Sequence, residues 1–137
     1  MTRIFFLPAL LFAFLFTACH TGQRLTESGD YDQAVSFYVR KLKGKSKKKI
    51  EHVKGLELAF RKAQTRDLGT ATALADEGRP ENWERVNEIH RQIRRRQSLV
   101  APLLPLRAKE GYQAPVSYTH LRAHETKANL VCRLLLE

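Results

Sequence analysis

From Tyr31 to Val100 the apolar residues return at every third or fourth position, and no segment alternates in the way a half-buried strand requires. This period allows helices and little else. Tyr31, Ala34, Val35, Tyr38 and Leu42 share one face of a first helix, which Gly44 interrupts. A second helix is expected over about Lys47 to Arg66, with Ile50, Val53, Leu56, Phe60 and Ala63 on its inner face. A third, shorter one is expected over Asp67 to Glu77 through Leu68, Ala71 and Leu74. Gly78 is a natural stop, and Pro80 suits the first turn of a fourth helix that carries Trp83, Val86, Ile89, Ile93 and Val100 and ends before Pro102 and Pro105. The fold class that follows is all-α. About four antiparallel helices form two hairpins over residues 29–106, stacked as a helical repeat or closed as a small bundle.

Within the first helix, the stretch GDYDQAVSFYVRKL resembles the second helix of a tetratricopeptide repeat. Gly29, Tyr31, Ala34 and Tyr38 stand at that family's small and aromatic positions, where the resemblance implies repeat-like packing, and Lys41 stands where the family places Ala. A plain amphipathic helix accounts for the same spacing. Because a solenoid needs about three units to bury its faces, two hairpins leave two readings of Val100 to Leu106. Either they expose apolar surface meant for a further unit, or Pro102-Leu103-Leu104-Pro105 caps the helix ends.

Upstream of the helices, Ile4 to Phe16 is an uncharged run of thirteen residues preceded by Arg3. It has the shape of a signal peptide covering residues 1–18. A membrane span needs about 20 apolar residues, whereas this run is shorter and contains Pro8. Phe16-Thr17-Ala18-Cys19 resembles the lipobox of bacterial lipoproteins, with Phe16 where that family usually has Leu. The resemblance implies a diacylglycerol thioether on Cys19, cleavage before it, and attachment of the chain to the cell envelope. His20, in place of the Asp that retains many gram-negative lipoproteins at the inner membrane, points by the same resemblance to the outer membrane and a periplasm-facing body. The bland alternative makes Cys19 a small hydrophobe near the end of a cleaved signal. Residues 19–28 are polar, contain Gly22 and show no period, so they read as a flexible tether.

At the other end, residues 116–137 match the reading frame of a transposase-type sequencing adapter, beginning VSYTHLRAHET and closing with LVCRLLLE. They are set aside as non-native, with residues 107–115 as the end of native sequence and its junction, and natural sequence is expected to continue past Ala114. The exclusion removes the chain's most metal-like constellation, His120 and His124 at i and i+4 with Glu125 and Cys132. No metal or cofactor is expected. Cys19 then stands as the one native cysteine, so hydrophobic packing and not a disulfide must hold the fold.

What remains, Cys19 to Ala114, is one small domain of 96 residues with 20 basic and 12 acidic side chains. Such an excess suits an anionic partner. An exported lipoprotein meets little nucleic acid, so none is expected; anionic head groups or an acidic protein are the available partners. The charge concentrates between Arg40 and Lys49, where Lys41, Lys43, Lys45, Lys47, Lys48 and Lys49 form either a solvated turn or a contact with anionic surface. Arg94-Arg95-Arg96 reads as a solvated helical face or a contact for an acidic partner, and Trp83 as a core anchor or a ligand platform. Glu84 and Glu88 are spaced to pair with Arg91 and Arg95. His52 and His90 are lone histidines on helices, so no catalytic set is expected and the chain is read as a non-enzyme. Two functions follow: a lipid-anchored protein with a helical interaction or scaffolding body, or a soluble exported cationic protein that binds anionic lipid or polymer through its basic turn.

Overall fold

Residues 21–115 are those that the computed structural model describes, and they are all-α: α1 (Thr21–Glu27), α2 (Tyr31–Leu42), α3 (Ile50–Asp76) and α4 (Asn82–Val100), followed by a 3-10 turn at Ala101–Leu103. The signal-like segment, Cys19 and the adapter-like tail lie outside the described residues. Contacts fix the directions. Tyr31, at the start of α2, lies under the Arg66 guanidinium late in α3 (5.1 Å), whereas Tyr38 lies beside His52 early in α3 (6.2 Å). These two helices are therefore antiparallel. Further along α3, Asn82 donates to the carbonyl of Leu74 (3.2 Å) and Arg96 reaches Asp67, so α4 runs back along it.

The 27 residues of α3 make a rod of about 40 Å at 1.5 Å per residue. Two apolar clusters divide its length. In the larger, Ala34, Val35, Leu42, Val53 and Leu56 are fully buried. Leu42 and Leu56 each contribute about 1.5–3 kcal/mol by leaving water. The smaller gathers Ala71, Val86, Ile89 and Ile93, with Trp83 and Leu74 partly buried against them. Trp83 thus occupies the core-anchor position of its two readings.

Two expectations change and one open alternative closes. The segment read as a tether contains α1, whose buried residues are Gly22 and Thr26. Leu25 also packs partly buried against the larger cluster, but a single leucine between small buried residues makes no apolar stripe. Secondly, the helices expected over Lys47 to Arg66 and Asp67 to Glu77 are one helix. Asp67 looks like an N-cap in sequence, but it is a buried member of the α3 inner face, at 6% exposure. Thirdly, Val100, Leu103 and Leu106 are buried in the larger cluster, which favours capping over exposure.

Residues 107–115, read as a junction, also belong to the fold. Arg107 and Gln113 form an isolated antiparallel bridge, Ala108 N–H donates to the Tyr112 carbonyl and Ala114 N–H to that of Leu106. Ala108 and Ala114 are buried against the core, and the Tyr112 hydroxyl donates to Glu57 at 2.5 Å. This small loop closes the end of the bundle at which α2 finishes and α3 begins.

Candidate functional site

The turn from Lys43 to Lys49 changes chain direction where Gly44 takes φ +72°, a conformation that a side chain at this position would strain. Turning there, the chain fans its lysines outward. Lys41, Lys43, Lys45, Lys47 and Lys49 are exposed. Lys41 holds its ammonium over the Phe37 ring, 5.4 Å from the centroid, as a cation–π contact. Lys48 departs from the surface-contact reading. It is half-buried, its ammonium donates to the Leu103 carbonyl (3.4 Å), and its own carbonyl accepts the Lys109 N–H (2.9 Å), so it ties the basic turn to the C-terminal loop.

That tie brings in charge the sequence did not offer. Arg107 and Lys109 are exposed on the loop that folds against the turn, and they extend the basic patch from a segment some 60 residues away in the chain. Glu51, Glu57 and Glu110 are acidic residues of this end, Glu57 being held by the Tyr112 hydroxyl. His52 registers the local field: burial pushes its imidazole below the ordinary histidine value, Glu51 acts the other way, and Lys49, Lys41 and Lys45 push it lower still.

The positions shared with the repeat resemblance form a packing unit. Gly29 turns with φ +88° and its carbonyl accepts a hydrogen bond from Arg66 (3.2 Å), Tyr31 is half-buried under that guanidinium, Ala34 is fully buried, and Tyr38 is 7% exposed. Tyr38 is clasped between Gly22 of α1 and Gly55 of α3, at both of which a Cβ would collide with its ring. Burial, with Glu27 nearby, pushes its phenol above the usual tyrosine value.

A second polar constellation separates the two apolar clusters. Arg96, 2% exposed, donates from Nε to Asp32 Oδ1 (2.7 Å) and from Nη2 to Asp67 Oδ2. Arg66 donates to Asp67 (2.9 Å), and Gln92 donates to Asp32 (2.6 Å). Burial raises the Asp32 carboxyl, but the hydrogen bond and charge of Arg96, with Gln92 and Arg66, outweigh it and hold the group below its ordinary value. Burial opposes the Arg96 charge as well, and its two aspartates more than restore it. The Arg94-Arg95-Arg96 triplet is thus not one solvated face: Arg94 and Arg95 are exposed, and Arg96 is core. A helical turn carries three successive residues to different sides, so a charge run on a helix cannot all face water.

On the outer face of α4, Glu88 pairs with Arg85 and not with the expected Arg91 or Arg95. Among the described residues no group of three or more His, Cys, Asp or Glu is placed to hold a metal ion. His120, His124, Glu125 and Cys132 lie outside those residues. Comparison of the chain with protein-family models, with curated proteins and with solved structures finds no match in any of the three. The functional reading therefore rests on the residues themselves.

Proposed function

We propose that this chain is an outer-membrane lipoprotein of a gram-negative bacterium, anchored through lipid on Cys19, whose helical body is a protein-interaction or scaffolding module facing the periplasm. The observation that carries the reading is the uncharged run Ile4 to Phe16 closing on Phe16-Thr17-Ala18-Cys19. Two acyl chains, at about 0.8 kcal/mol per buried methylene, hold a protein stably where one holds it marginally. The described helices add that none is long and apolar enough to cross a membrane, and the first described helix begins at Thr21, two residues after Cys19. We read the body as binding and not catalysing, because its features are a cationic end and a mixed-charge helix face. Metabolic palmitate labelling with and without globomycin tests the anchor. Label on the wild-type chain and none on Cys19→Ser supports it; label retained by Cys19→Ser removes it.

The exposure of Lys41, Lys43, Lys45, Lys47 and Lys49 favours one other reading, a soluble exported protein that binds anionic lipid or polymer through this turn. Envelope fractionation separates the two. A chain released without detergent and without label is the soluble form.

A further inference from the structure

The start of α1, two residues after Cys19, and the basic turn lie at the same end of the bundle, although 22 residues separate Thr21 from Lys43 in the chain. Gly22 abuts Tyr38 and Phe37, Tyr38 abuts Gly55 and lies beside His52, and His52 is two residues into α3. This single layer places the start of α1 level with the last turn of α2 and the first turn of α3, and the basic turn joins those two helices. Tyr38 to Lys43 is five residues, or about 8 Å of helix rise, and two peptide units from Thr21 reach at most about 7 Å. That length of chain puts a lipid on Cys19 within reach of the plane of the turn's ammonium groups.

We infer that the exposed lysines of the 43–49 turn, joined by Lys41, Arg107 and Lys109, rest on the anionic phospholipid surface into which the Cys19 lipid inserts, so that the bundle stands with this end down. The inference rests on the lipid assignment proposed above and adds an orientation to it. Each cation near an anionic surface strengthens the contact by about fivefold, and tethering removes the search for that surface by holding the lysines at high effective concentration. The other end then points away. Asp76, the last residue of α3, is 26 residues from Ile50, or about 39 Å along the axis. Trp83 packs beside Leu74 at this far end. It is the chain's one tryptophan, which makes it a reporter of distance from the membrane.

The test uses the full lipidated chain, purified from envelopes and placed in phosphatidylcholine vesicles with or without phosphatidylglycerol, some of the phosphatidylcholine bearing a head-group nitroxide quencher. Native Trp83 is compared with a Ser46→Trp, Trp83→Phe chain of equal helicity, Ser46 being exposed in the basic turn. With phosphatidylglycerol present, the indole introduced by Ser46→Trp is expected to be quenched at least about twofold more than Trp83. About 0.5 M salt, which shortens the screening length to a few ångströms, should remove the difference. So should combined Lys43→Gln, Lys45→Gln, Lys47→Gln and Lys49→Gln, with palmitate label unchanged. Equal quenching at the two positions, or a difference that the glutamine variant leaves intact, overturns the orientation while the labelled chain remains a lipoprotein. Absence of label from the wild-type chain overturns the lipid assignment and this inference together.

Discussion

Tyr38 is packed from two sides by residues that have no side chain, and this makes its neighbours unusually intolerant. A methyl group at Gly55 would run into the Tyr38 ring, whereas a methyl group at Gly69, about four turns further along the same helix, would meet nothing within 4 Å. Alanine gains about 1 kcal/mol over glycine in a helix interior, but overpacking a core costs about 1–3 kcal/mol. The two substitutions should therefore have opposite signs. In urea titrations Gly69→Ala is expected to raise stability by about 0.5–1 kcal/mol, and Gly55→Ala to lower it by up to about 2 kcal/mol once the propensity gain is subtracted. His52, beside the same ring, adds a pH dependence. Its folded-state affinity for protons is depressed, so the unfolded chain binds more protons as pH falls through about 6.5, and stability drops there. His52→Gln is expected to flatten the change in melting temperature between neutral pH and about pH 5, where an unperturbed histidine is charged.

Between α3 and α4 the network of Arg96, Asp67, Asp32 and Arg66 does what an apolar seam does elsewhere. Arg96 is 1% exposed at its side chain and Asp67 is 8% exposed, so removing either strands a buried charge. That loss costs about 3–5 kcal/mol, whereas replacing a buried pair together with apolar groups is often close to neutral. Asp67 keeps Arg66 when Arg96 is lost, but Arg96 keeps only the half-exposed Asp32 when Asp67 is lost. Asp67→Leu should accordingly destabilise more than Arg96→Met, and the double variant should return to within about 1 kcal/mol of wild type in a double-mutant cycle. The same network shows where the sequence was readable. The apolar period announced α2, α4 and both parts of α3, because Val53, Leu56, Phe60 and Ala63 carry it before Asp67 and Leu68, Ala71 and Leu74 after it. It failed at Asp67, since an aspartate at a core position looks identical to one at a helix start. It failed also at α1, which buries Gly22 and Thr26 and offers Leu25 alone as an apolar contact, too little to show a period. The basic turn was legible as charge, but Arg107 and Lys109 were not, because only the closing loop carries them to it.

At the scale of the whole bundle, Asp32 is the residue on which three helices converge: it projects from α2, accepts from Arg96 and Gln92 of α4, and lies 3.7 Å from Arg66 of α3. Its carboxyl is held below the ordinary value, so the folded chain keeps it ionised at a pH where the unfolded chain has begun to protonate it. The contribution to stability is complete above the unfolded value of about 4 and is lost as pH falls through the lower folded value. Over the same interval every other carboxylate that protonates leaves the excess of 24 Lys and Arg less opposed, and repulsion grows within a chain already at +10. Acid should therefore act on this protein by releasing α4 and α2 from α3 together. Thermal melts between neutral pH and about pH 3 are expected to fall most steeply below about pH 4. In Asp32→Asn the starting stability is lower and that last fall is shallower, because a group that cannot titrate cannot lose its ionised state. Added salt distinguishes the two contributions: it weakens the exposed repulsion, which is screened over about 8–10 Å, more than the half-buried pairs. A steep fall that Asp32→Asn leaves unchanged at high salt would mean that Asp32 is not the residue holding the three helices together.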